Sequence, residues 1–506
     1  MTSAAAQPRL RRRLVLLIAT PVLALIALLS WGLSSPVGAS PDDDFHLASI
    51  WCGHGDAPGC EPTGSADERS VYRDLVIDSV CFAFNSEVSA SCHGADFGQN
   101  PDEVVDSPRG NFTGLYPPLF YGMMSLFASE NIESSVLVLK LVNSVIFVGL
   151  VAALFWLLPA HRRTTLVWSL AITLVPLGMF VIPSTNPSSW AVLSAGTLWL
   201  ALLGVFESTG RRRIGLGAIA LVATMLGAGA RADAAIYAGL SVALVLLLAF
   251  RRDRGYLRAA AFGAALLAIA IAFYFTANQR DAVTTGLVVV GPEPIVDPVN
   301  PIVLALANVI NVPELWAGIF GAWPLGWLDT AIPASVWVAG LGCFCGAIFL
   351  GLGARVPRKG LSALLILGAL WAIPTLLLVQ SQSLVGANFQ PRYILPLMIM
   401  LAGVVLLQTP ASRIVVNAVQ RSIVVAAISL ANAVALYTNI RRYVTGTDVT
   451  NINLDADVEW WWQLPFSPMF VWIVGSLAFA AVLIAINSRE LYAPAKQPVA
   501  IGQRSG

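Results

Sequence analysis

The sequence predicts an all-α polytopic membrane protein with about twelve transmembrane helices, on three observations. The 506 residues are 57% apolar and 12% charged, half the ~25% charge of a soluble globular domain. Apolar runs recur along the chain at the length, roughly 17 to 25 residues, that a helix needs to cross a hydrocarbon core of about 30 Å. Basic residues gather at alternate ends of those runs, as they do beside cytoplasmic loops. The 30 basic and 29 acidic side chains nearly cancel, so neither a nucleic-acid partner nor a basic membrane-surface domain is expected. Lysine occurs only at Lys140, Lys359 and Lys496, and the excess of arginine in an alanine-rich chain reads as a GC-rich bacterial genome.

The expected spans are 14–34, 135–158, 165–183, 188–206, 214–230, 233–250, 259–277, 332–353, 360–380, 393–409, 422–439 and 468–487. The first, behind Arg11 to Arg13, reads as an anchor, because its apolar core of roughly 20 residues exceeds the 7 to 15 of a cleaved signal. With the N-terminus inside, Arg162, Arg163, Arg211 to Arg213, Arg251, Arg252, Arg254, Arg258, Arg358 and Lys359 fall in the cytoplasm, as do both termini. Acidic residues go the other way: only Glu207, Asp253 and Glu490 lie inside. The expected product is one multi-pass domain of the cell membrane spanning 1–506, with extracytoplasmic loops at 35–134, 278–331 and 440–467. Shorter apolar stretches at 115–128 and 301–320, interrupted by Pro117, Pro118 and Pro313, are expected as helices lying at or dipping into the outer interface. The cytoplasmic loops are too short for a nucleotide-binding domain, and no G-x-x-x-x-G-K-[ST] or strand-bounded G-x-G-x-x-G occurs.

Cys52, Cys60, Cys81 and Cys92 fall in the first outer loop, while Cys343 and Cys345 fall within a span. Four thiols in an oxidising compartment suggest two disulfides of undetermined connectivity. Zinc is the rival, with His46, His54 and His93 nearby, although no C-x-x-C pair is present.

Beyond the first span comes Pro41-Asp42-Asp43-Asp44-Phe45-His46. Adjacent carboxylates repel one another, which raises at least one pKa unless a cation or a function compensates. At a membrane surface such a group can deprotonate an attacking hydroxyl, or hold a divalent metal ion against a phosphate. The structural alternative is that Asp42 or Asp43 caps a helix starting near Phe45. Arg392, at the outer mouth of the tenth span, can hold a lipid phosphate through paired hydrogen bonds, or snorkel without a ligand. Arg231 and Asp233 interrupt an apolar stretch at an outer turn, where mutual pairing is the simpler reading, and Lys140 is similarly placed near the end of a span. Trp316, Trp323, Trp327 and Trp460 to Trp462 fit an interfacial belt better than a sugar platform. Asn111-Phe112-Thr113 matches a glycosylation sequon.

Five segments then appear in a recognisable order: Pro41-Asp42-Asp43-Asp44-Phe45-His46, Tyr116-Pro117-Pro118, Asn186-Pro187, Gly326-Trp327-Leu328-Asp329 and Arg392-Tyr393-Ile394-Leu395-Pro396. Together they resemble the bacterial integral membrane family named domain of unknown function 2142, from about residue 40 to 400. That family in turn resembles the C-type membrane glycosyltransferases, which take sugars from polyprenyl phosphates and keep an essential acid in the first outer loop. The resemblance implies catalytic roles among Asp42, Asp43, Asp44 and His46, and substrate-binding roles for Arg392, Tyr393, Asp329 and Tyr116; Arg231, an ionisable group within an apolar stretch, is a further substrate-binding candidate. The chain departs from the pattern at Asp43, where the family has Glu, which leaves open which of the three carboxylates is the base.

The leading expectation is therefore an inverting transferase that moves a sugar from a polyprenyl-phosphate donor to a glycan or lipid acceptor outside the cytoplasm. No cofactor is required by this reading beyond a potential divalent metal ion. A transporter or flippase for a polar lipid or glycan is the rival, though repeated halves and mid-membrane ionisable residues are not evident. A non-catalytic subunit of an envelope-synthesis complex is the third reading.

Overall fold

The computed structural model describes residues 6–99, 103–278, 300–353, 356–387, 389–409 and 414–492. Residues 279–299 of the expected second outer loop lie outside these, as do Asn388 and the polar tail after Tyr492. Among the described residues, ten helices are long and apolar enough to cross a membrane, with two shorter apolar helices, Ala232–Leu248 and Pro391–Val405.

Helix α1 (Ala6–Leu33) turns Leu14, Val15, Ile18 and Val22 outward, the apolar exposure expected of a lipid-facing helix, and buries Trp31 against the bundle. Its last carbonyls need donors, since the final turn has no residues to supply them. Lys140 donates to Gly32 O at 2.9 Å and, just beyond the helix, to Ser35 O at 2.5 Å and Pro36 O at 3.3 Å. Trp462 donates to Leu33 O at 2.9 Å, and Asn439 to Ser34 O at 3.2 Å. Lys140, ambiguous in the sequence, thus fixes where the chain leaves α1.

The segment after α1 forms a small cap. Helix α2 (Asp43–Trp51) leads into a three-stranded antiparallel sheet of β1 (Cys60–Pro62), β2 (Arg69–Tyr72) and β3 (Val104–Ser107), with the single turn α3 (Arg73–Val76) between β2 and β3. Disulfides join Cys52 to Cys60 and Cys81 to Cys92. The stretch expected as an interfacial helix at 115–128 is a short helix, α4 (Leu119–Met124), with a following 3₁₀ turn that exposes Leu126. It packs on α2.

Helix α5 (Ile132–Leu157) crosses as expected, but the run 165–183 does not form one continuous helix. It divides into α6 (Ala160–Ala171) and α7 (Leu177–Val181), both turned into the protein. Pro176, with no N–H to donate, sits at the N-cap of α7, and Pro183 and Pro187 stand between α7 and α8 (Ser188–Glu207). Helices α9 (Gly210–Ala230), α10 (Ala232–Leu248) and α11 (Arg254–Phe275) then pack round α8, which is almost entirely buried.

The opposite correction applies to 301–320, expected at the interface. Pro301–Ala317, here α12, continues through a π turn to Ala322, and the combined helix is 22 residues long and apolar enough to cross. Pro313 is accommodated inside it, and Val303, Leu306 and Ile310 form an exposed stripe at helical spacing. Helices α13 (Ala334–Gly351), α14 (Pro357–Gln380), α15 (Pro391–Val405), α16 (Ala418–Val444) and α17 (Pro468–Asn487) complete the bundle.

Candidate functional site

The five sequence segments converge at the end of α1. Backbone Pro41 O accepts from Asn186 Nδ2 at 3.0 Å, and Gly38 O from Trp327 Nε1 at 2.8 Å. The Asn-Pro turn and the Gly-Trp-Leu-Asp segment therefore brace residues 38–41 from two sides. Trp327 and Trp462 both spend their N–H on this framework.

Asp42 adopts the left-handed conformation, φ 61° and ψ 24°, which an aspartate tolerates better than most residues. It is the N-cap of α2 by position, and its backbone carbonyl accepts from Phe45 and His46, but its side chain makes no capping bond. The turn sends three adjacent carboxylates in three directions, which relieves their repulsion. Asp42 meets Arg392 Nη2 at 2.5 Å with 40% of its side chain exposed. Asp43 is buried, accepting from Ser40 N–H at 3.0 Å and Thr185 Oγ1 at 2.7 Å. Asp44 is held by Arg109 through a two-pronged contact at 2.7 and 2.8 Å.

The electrostatics separate them further. Burial pushes Asp42 up, but the Arg392 guanidinium together with His46 and Arg109 outweighs it and holds the carboxyl below its ordinary 3.8. For Asp43, burial prevails over the Thr185 and Ser40 hydrogen bonds and raises the carboxyl to about 7. His46 lies buried with Nδ1 at 2.8 Å from the Tyr121 hydroxyl, and burial drives it down to about 3, so it is a neutral imidazole near pH 7.

Raising the Asp43 pKa has a measurable consequence. The folded protein keeps a proton that the unfolded chain releases, so this contribution to stability is complete below 3.8 and is lost as pH rises through about 7. Asp43→Asn cannot ionise and avoids that loss. Thermal unfolding should show the variant gaining on wild type from about pH 4 to about pH 8; a difference independent of pH would contradict the assignment.

Arg392 is 3% exposed. Besides Asp42, its Nη2 donates to Tyr393 Oη at 3.1 Å, whereas Nε and Nη1 are buried without an acceptor among the described residues. A second guanidinium, Arg231, is gripped by Asp233 through bonds of 2.9 and 2.9 Å. It lies over the rings of Tyr116 and Tyr393, at 5.6 and 4.9 Å from their centroids. Tyr116 is held in turn by Asn111, which exchanges two hydrogen bonds with its backbone at 3.0 and 2.7 Å. The sequon asparagine is thus an internal brace, and burial raises the Tyr116 hydroxyl to about 12.

Asp329 is committed elsewhere. It pairs with Arg442 at 2.8 Å, both side chains at most 3% exposed, and Arg442 also donates to Phe82 O and Val88 O. This latch ties the 326–329 segment to the cap. Asp329→Asn should cost about 3 to 5 kcal/mol by stranding a buried charge, read in denaturant unfolding, while folded protein keeps its affinity for substrate. Normal stability with weakened binding would instead make Asp329 a ligand contact.

Sequence reasoning missed Arg109, Tyr121, Thr185 and Arg442, whose partners are 65 or more residues away. Among the described residues, no three His, Cys, Asp or Glu side chains converge as a metal site. A divalent ion at Asp42 would compete with Arg392 for the carboxylate.

The arrangement combines an accessible, ionised carboxylate with cationic side chains able to receive an anion. Comparison with curated proteins finds no match, and neither does comparison with solved structures. A family model described as a predicted membrane protein (DUF2142) matches residues 25–401, a stretch that takes in every segment of the cluster from Asp42 to Arg392 and most of the chain. The protein belongs to that family.

Proposed function

We propose that the protein transfers a sugar from a polyprenyl-phosphate donor to a hydroxyl of a glycan or lipid acceptor on the extracytoplasmic face, in assembly of a cell-envelope glycan. The observation that carries this reading is the half-exposed Asp42 carboxylate held against a buried arginine whose Nε and Nη1 have no acceptor among the described residues. An apolar bundle around that pair suits a donor that arrives dissolved in the membrane. The two disulfides of the cap support an oxidising compartment.

Asp42 accepts the proton of the acceptor hydroxyl as its oxygen attacks the anomeric carbon. The bond from that carbon to the phosphate oxygen breaks on the opposite face, and the leaving phosphate departs with the electron pair. Arg392, with Arg231 and Arg109 nearby, offsets the charge that develops there. A donor phosphate that shares Arg392 also loosens its hold on Asp42, which raises the pKa of the base once donor is bound. His46, neutral and fixed by Tyr121, orients the acceptor. Asp43 and Asp44 set the backbone that presents Asp42.

Comparing envelope glycans and lipid-linked sugars in a deletion strain and its parent tests the reading. Transfer predicts accumulated donor on the outer leaflet with a missing glycan linkage. Donor trapped in the inner leaflet would point to a flippase instead.

A further inference from the structure

At the other end of the bundle, α1, α5, α6 and α17 enclose a cleft of about 160 Å³. From Leu17 at this cleft to Leu33 beside the Asp42 site, α1 rises by about 24 Å, so the two regions lie near opposite membrane surfaces. The cleft is lined almost wholly by apolar side chains, among them Leu17, Ala24, Ala152, Phe155, Val167 and Phe479. An apolar cavity of this size does not hold water. In a bilayer its natural content is hydrocarbon.

The mouth of the cleft is cationic. Arg13 and Arg163 stand one helical turn before the lining residues Leu17 and Val167, on the same helix faces. The Arg163 guanidinium lies over the ring of Phe155, itself part of the lining, at 5.1 Å from its centroid. Its N–H groups hold Leu158 O and Trp156 O, and no carboxylate among the described residues pairs with it. Burial, and the nearby charges of Arg13 and Arg212, push Arg163 below its ordinary pKa. The carboxylate of Glu207 is engaged by Arg162 and His161. Arg13 Nε is buried without an acceptor among the described residues. Like charges gathered beside an apolar cleft call for an anion that carries a hydrocarbon tail.

We propose that this cleft is a binding site for one anionic phospholipid, with an acyl chain between α1, α5 and α17 and its phosphate between Arg13 and Arg163. The site is separate from the Asp42 cluster and does not depend on the transferase reading.

The test uses full-length protein purified in mild detergent, stripped of lipid and titrated with dioleoyl phosphatidylglycerol or dioleoyl phosphatidylcholine. Native mass spectrometry should find one phosphatidylglycerol retained, and the thermal midpoint should rise more with it than with phosphatidylcholine. Arg13→Gln should weaken phosphatidylglycerol binding about tenfold and leave the lipid-free midpoint unchanged. Ala152→Trp, which fills the cleft, should abolish the lipid-specific rise; if that variant does not fold, Arg13→Gln decides. Equal effects of the two lipids, wild-type binding in Arg13→Gln, or preferential retention of a neutral polyprenol would each overturn the proposal.

Discussion

Asp42→Asn should lower sugar transfer by about 10² to 10⁴-fold while the protein inserts, folds and binds donor, because loss of a general base has that scale. The substitution keeps the volume of the side chain and its tolerance of the left-handed turn. It removes the negative charge that faces Arg392 at 2.5 Å, so donor affinity should hold or rise as the guanidinium is freed for phosphate. A helix-capping role would behave differently, since Asn caps about as well as Asp, and the Asp42 side chain makes no capping bond. Asp43→Asn is the matched control. Its carboxylate is buried behind Thr185 and Ser40, so its effect should fall on stability and its pH dependence, with turnover reduced much less than in Asp42→Asn. Donor-dependent turnover normalised to folded protein checks both; wild-type turnover in Asp42→Asn would exclude Asp42 as the base.

Arg392→Ala should produce the second large loss, at limiting donor above all. It deletes the partner of Asp42 and the Nε and Nη1 donors that have no acceptor among the described residues. Arg392→Lys should retain part of the function, because an ammonium still supplies a point charge to Asp42 or to phosphate but cannot serve both with a planar fork. The alanine variant should also free Asp42 to titrate nearer the ordinary carboxylate range, shifting the acid limb of the pH–rate profile upward. Full activity of Arg392→Ala at limiting donor would remove Arg392 from the site.

The long apolar runs were legible because hydrocarbon length imposes one pattern wherever a helix crosses. Two places failed for the same reason, which is that proline has no fixed effect on a helix. Pro176 breaks the run at 165–183 beside further prolines, whereas Pro313 sits inside a helix that continues to Ala317. Only the surrounding packing distinguishes them. In the site, Asp42, Arg231 and Arg392 stood out as ionisable groups at the edges of apolar runs, and His46, Tyr116 and Tyr393 through the segments that carry the family resemblance. Their division of labour did not, because three consecutive aspartates are equivalent until the turn at Asp42 sends each to a partner far along the chain. Arg109 and Arg442 were lost among other arginines, and the pairing of Asp329, singled out by the Gly-Trp-Leu-Asp segment, was hidden because its partner lies 113 residues later.

Sugar transfer by the purified protein reconstituted in liposomes is the most direct test of the account. The vesicles would carry the lipid-linked sugars and candidate acceptors extracted from membranes of a deletion strain, with release of free polyprenyl phosphate as the readout. Wild type should release it, matched mole for mole by sugar on the acceptor, with release lower by about 10² or more in Asp42→Asn. Lipid-linked sugar that crosses the bilayer intact, with no phosphate released and no difference between wild type and Asp42→Asn, would contradict it.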